Sequence, residues 1–119
     1  MDTIKTINES GWADFSLQKI EIPDENIRIS LSENIIITCC NFIGISYVGH
    51  WEEGIIEDIV IESKGDLIDT SLKEVQRNYG KLPYIKEIRQ MGNEWYQLNI
   101  KMIDGVVIKI ACEYFELLR

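Results

Sequence analysis

The sequence predicts an α+β fold: a curved, mainly antiparallel sheet of about six strands, sandwich or half-barrel, with one packed helix at 66–79. Three observations predict it. Isoleucine outnumbers valine 22 to 5, which favours pleated strands. Apolar and polar residues alternate with period two through much of the chain. One stretch, DLIDTSLKEVQRNY, has helical period instead.

FSLQKIEI (15–22) has strand character, but Phe15 and Leu17 are out of phase with Ile20 and Ile22. A bulge near Gln18 reconciles them. Pro23-Asp24 then breaks the strand. IRISL (27–31) alternates cleanly, with Ile27, Ile29 and Leu31 facing in. Ser32-Glu33-Asn34 reads as a turn. A long strand is expected from Ile35 to about Val48. Its face switches from Ile36, Cys40 and Phe42 to Ile43, Ile45 and Tyr47, with a bend at Gly44. IIEDIVIE (55–62) is the next strand, its alternation broken by acids.

In the helix, Ile68, Leu72, Val75 and Tyr79 form one apolar stripe. Asp66 is placed to cap its start and Gly80 its end. The last two strands flank Asp104-Gly105. A three-residue loop with Gly105 left-handed pairs Met102 with Val106, Ile100 with Ile108, Leu98 with Ile110 and Tyr96 with Cys112. Lys101, Asn99, Gln97, Lys109 and Glu113 then share the polar face.

At 119 residues the chain fits one domain, 1–119. With 45% hydrophobic and 27% charged residues it is globular rather than disordered. No apolar run reaches membrane-spanning length, and MDTIKTINESGW lacks the basic and apolar regions of a signal peptide. A soluble, cytoplasmic protein is the expectation. Cys39, Cys40 and Cys112 sit in apolar strand patterns and read as reduced, buried thiols.

Net charge is −8. Phosphate backbones and anionic membranes repel such a surface, so neither nucleic acid nor membrane is an expected partner. The charge is uneven. Residues 20–62 carry nine acids and only Arg28 as a base, whereas 63–92 carry six bases and four acids. The acidic half suits a basic protein as partner, although acids also serve plain solubility.

Most chemistries lack parts. His50 is the only histidine, and His50 with Glu52 is half of a zinc-deaminase signature whose cysteine half is missing. Glu52, Glu53, Glu57 and Asp58 do not have the spacing of a calcium loop. No nucleophile-elbow pattern occurs, and mid-strand cysteines are poor nucleophiles. Gly44, Gly49 and Gly54 lie in no phosphate-cradling context. No cofactor, no metal and no enzymatic activity are therefore expected.

What remains is recognition. Tyr47 and Trp51 share strand parity, with His50 on the opposite face and Glu52, Glu53, Glu57 and Asp58 around them. Aromatics ringed by acids fit a hot-spot patch. The plainer reading has Tyr47 and Trp51 closing the core's end while Glu52-Glu53-Gly54 turns the chain. A small-ligand domain, with Tyr47, Trp51, Trp95 and Tyr96 at a pocket mouth, is the alternative function. An enzyme built on His50 and nearby carboxylates is a remoter one.

The run CNFIGISYVGHWEEGIIEDIVIE, the capped helix and the terminal hairpin ending ACEYFEL resemble small bacterial single-domain proteins. Some acidic proteins of this size are similar to immunity partners in toxin–antitoxin competition systems. The resemblance implies a cytosolic inhibitor that covers a cationic toxin's active site and does no chemistry itself.

Overall fold

The computed structural model of the chain describes residues 2–46, 54–79 and 94–119, with backbone alone at 75–79. The fold is α+β, with the strands in two four-stranded antiparallel sheets. Helix α1 is Thr3–Glu9. The strands are β1 (Leu17–Glu21), β2 (Ile27–Leu31), β3 (Ile36–Cys40), β4 (Gly44–Ser46) and β5 (Ile56–Glu62). Helix α2 (Asp66–Tyr79) follows, then β6 (Tyr96–Met102), β7 (Val107–Cys112) and β8 (Tyr114–Leu118). The first sheet runs β1-β2-β3-β8 and the second β4-β7-β6-β5.

The first sheet follows from local phase. Leu17 pairs with Leu31 and Lys19 with Ser30, so Gln18 is the extra residue of the expected bulge. Ile27, Ile29 and Leu31 are buried while Arg28 is exposed. Ser32–Asn34 forms the expected turn, with Glu33 and Asn34 left-handed at φ of 63° and 62°.

The expected long strand over 35–48 is instead two strands in different sheets, which is one reason there are eight strands rather than six. The Ser32–Asn34 turn sets Ile29 opposite Ile37 and Ile27 opposite Cys39. Those two β3 residues therefore face the core at 0% exposure, whereas Ile36 and Phe42 are only half-buried. The chain leaves the first sheet at Asn41, whose φ of 56° suits asparagine, rather than at Gly44. Ile45 does not continue the buried face and is 37% exposed. A second change of sheet falls at Glu113, between β7 and β8.

Backbone bonds continue through both corners: Ile43 N donates to Ala111 O at 2.8 Å and Glu113 N to Cys40 O at 3.1 Å. Bent strands passing between layers are the corner device of sandwiches. On the other side, among the described residues, the bridge Ser16–Ile55 joins the sheets. The two sheets do not close into a barrel.

The β6–β7 hairpin has the expected register, with Ile100 opposite Ile108, Leu98 opposite Ile110 and Tyr96 opposite Cys112. Met102 N donates to Val106 O at 2.8 Å, and Gly105 has φ 96°. Here a left-handed residue closes a three-residue loop, which is what glycine permits.

Helix α2 has the expected span, but its start and buried face differ. Leu67 N and Ile68 N both donate to Gln97 Oε1, at 3.0 and 3.3 Å. The cap thus comes from β6, and Asp66 lies inside the helix, paired with Lys109. Ile68 and Ser71 are buried while Leu72 is half-buried, so the stripe is rotated toward Ser71. The cause is Gly44, because the helix sits directly on its bare backbone. Helix α1 has no counterpart in the periodicity, being only 7 residues long. Its Ile7, with Trp12, joins the core, which otherwise lies between the sheets and includes Ile29, Ile37, Ile59, Leu98, Ile100 and Phe115.

Candidate functional site

Strand β5 carries the part of the expected recognition patch that the structure describes. Tyr47, His50, Trp51, Glu52 and Glu53 lie outside the described residues. Ile56, Ile59 and Ile61 point into the core. A register shift between Ile56 and Asp58 makes Glu57 a bulge residue. That bulge is why two acids interrupt the alternation without burying either: both are exposed. Beyond them Val60 is 39% exposed and Glu62 is exposed. Asp58, Val60 and Glu62 therefore stand on the outer face of the second sheet.

Asp58 has a local task as well. Its Oδ1 accepts from Ile59 N at 2.9 Å. Glu62 Oε2 accepts from Asn99 Nδ2 at 3.3 Å. Asn99 Oδ1 in turn accepts from Gln97 Nε2 at 2.9 Å, and Gln97 Nε2 also reaches Asp66 Oδ1 at 3.2 Å. Lys109 Nζ donates to both Asp66 oxygens, at 3.2 and 2.9 Å. These side chains, with Lys101 and Val107, line an open groove of about 390 Å³ on the outer face. Gln97 is only 2% exposed and has both ends of its amide bonded. Gln97 lies on the polar face of the hairpin as expected, but it is buried there by the start of α2. The only sequence signal of its burial is Gly65, where an added Cβ would collide with the Gln97 amide.

Asp66 is held below the usual carboxylate range, first by the hydrogen bond from Lys109 and then by that from Gln97. The thiols move the other way. Burial pushes Cys39 well up, reinforced by the neighbouring Cys112, and burial with the nearby Glu116 raises Cys40. All three cysteines are buried and unpaired in disulfides. Cys39 and Cys40, raised and buried, make poor nucleophiles. Among the described residues no three histidine, cysteine or acidic side chains converge as a metal ligand set. Nor is any helix among them long and apolar enough to cross a membrane.

The space between the sheets holds core side chains. The alternative reading puts a ligand pocket in the curved sheet, with Tyr47, Trp51, Trp95 and Tyr96 at its mouth. Of the residues expected at its mouth, Trp95 and Tyr96 are half-buried. Tyr96 packs its ring 6.3 Å from Phe115 and donates its hydroxyl to Glu94 Oε2 at 2.6 Å. Tyr47 and Trp51 of that group lie outside the described residues.

The acids that cluster in sequence separate in space. Asp24 and Glu25 are in the β1–β2 turn, Glu33 is in the β2–β3 turn at the far end of the first sheet, and Glu57, Asp58 and Glu62 are on β5. Comparison with family models, characterised proteins and solved structures finds no match for the chain.

Proposed function

We propose that this chain is a non-enzymatic protein-binding module that docks a basic protein, and in its sharpest form an immunity protein that neutralises a basic toxin. The observation that carries the proposal is the exposed row of β5. Glu57, Asp58 and Glu62 surround the part-exposed Val60, directly after the aromatic and acidic segment 47–53. Part-exposed apolar surface beside exposed carboxylates suits a desolvated contact with basic groups of a partner around it. The net charge of −8 supports the same reading by attracting a basic partner before contact. The raised, buried thiols support a role without covalent chemistry.

The test begins with a pull-down from the native host, read by mass spectrometry, followed by surface plasmon resonance at two salt concentrations. Reversing Glu52 and Glu53 to lysine should slow association more than it speeds dissociation, because rim charges act mainly before contact. Trp51→Ala should instead speed dissociation, at roughly 2 kcal/mol or more if it anchors the contact. Salt-independent association, or wild-type kinetics for both variants, would remove this strand as the interface.

A further inference from the structure

We infer that the N-terminal segment is a fixed guard on the free edge of β5, and that Asn8 is the residue that closes it against a second copy of the chain. β5 is the outermost strand of its sheet, so its outward peptide groups have no strand beside them. Such an edge is a template for pairing with another chain. Here it is occupied almost from end to end. Leu17 N donates to Gly54 O at 2.6 Å, Ile56 N to Phe15 O at 2.8 Å, and Asp14 N to Ile56 O at 3.1 Å. Ile59 N is taken by the Asp58 side chain at 2.9 Å. Ile61 N donates to Asn8 Oδ1 at 2.7 Å, and Asn8 Nδ2 donates to Ile61 O at 3.0 Å.

The last pair is the telling one. A carboxamide carries one carbonyl acceptor and an N–H donor, as a peptide group does. Asn8 thus makes with Ile61 the reciprocal pair that a residue of a neighbouring strand would make. Aspartate offers the acceptor alone and alanine neither. Helix formation gives no reason for asparagine at this position, since it is a poor helix former. The guard is fastened at both sides of Asn8. Ile7 is buried, and the buried Trp12 donates Nε1 to Ile7 O at 2.7 Å and packs edge-on against Phe15 at 5.4 Å. Without the Asn8 amide, the outward groups of Ile61 become free. The strand they belong to is rich in β-branched residues, with the same strand in a second copy always at equal concentration.

The experiment uses the full chain carrying Asn8→Ala, with light scattering after size exclusion over a range of concentrations and amide exchange at Ile61. The variant should gain a larger, concentration-dependent species that wild type lacks. At concentrations where the variant is still monomeric, its Ile61 amide should exchange up to roughly tenfold faster, the effect of losing one net hydrogen bond. An unchanged size distribution in a folded Asn8→Ala variant overturns the inference. Should that variant fail to fold, two further readouts decide. In wild type, the Ile61 amide should exchange as slowly as those of β6, and fast exchange there overturns the guard. Asn8→Asp keeps the acceptor for Ile61 N, so it should retain that protection. Loss of protection in a folded Asn8→Asp variant overturns the reading equally.

Discussion

Asp66 shows how one exposed residue ties charge to stability. Its carboxylate holds Lys109 and Gln97 at the same point where β6 meets the start of α2. Lys109 is the larger cause of its lowered titration and Gln97 the second. A carboxyl depressed in the folded state contributes stability that is present above its unfolded pKa and is lost as pH falls through the folded one. The expected acid-side loss is modest, because solvent and salt screen so exposed a pair. Lys109→Met should move the Asp66 titration up toward the ordinary carboxylate range, read by NMR of its side-chain carbonyl. The same substitution should flatten the fall of stability on acidification. An Asp66 that titrates alike in both proteins would show that Lys109 is not the cause. Cys39 lies at the other extreme of exposure: fully buried, its thiol is raised by burial first and by Cys112 second.

At the scale of elements, Gly44 decides how α2 sits. An added Cβ there would collide with Ser71 Oγ and lie 3.1 Å from Ser71 Cβ and 3.4 Å from Leu67 Cδ1. The conflict lies between elements, since Gly44 is not among the positive-φ residues. Gly44→Ala should therefore cost about 1–3 kcal/mol by overpacking. Ser71→Ala, which removes the colliding hydroxyl, should recover part of that loss in the double variant. Denaturant unfolding of the two single variants and the double variant measures the coupling, and strict additivity would show that the helix does not rest on Gly44. This contact also explains what the sequence could and could not reveal. The β6–β7 register was legible because each pair from Tyr96–Cys112 to Ile100–Ile108 is apolar on one face, and only one loop length achieves that. The Gln18 bulge was legible from the same phase argument. The rotation of α2 was not, because Ile68, Leu72 and Val75 make an acceptable stripe until Gly44 is seen to admit Ser71. The Gln97 cap and the Asn8 clamp were hidden for a related reason. Each is a polar side chain whose partner lies far away in sequence, Leu67 in one case and Ile61 in the other. Glu57 and Asp58 were legible as exposed acids, yet the bond from Ile59 N that occupies Asp58 needs the strand edge to be known.

For the whole molecule, the two corners determine how the sheets depend on each other. The chain passes from β3 into β4 and from β7 into β8, and these bent strands pair with each other on both sides of the turn. Ile29 and Ile37 from the first sheet and Ile59 and Ile100 from the second belong to one core cluster. Neither sheet keeps its buried face covered without the other. Unfolding should therefore be a single cooperative transition despite the two-sheet architecture. Folding should be slow, on the order of milliseconds to seconds, because β3–β8 and β5–β6 pair residues far apart in sequence. Native-state hydrogen exchange in rising denaturant tests the coupling. Amides of Ile37 and Phe115 in the first sheet should converge on the same opening free energy as those of Ile100 and Ile108 in the second. If the first-sheet amides instead opened at distinctly lower denaturant, the corners would be hinges between separable units, and strand pairing through Asn41 and Glu113 would not couple the layers.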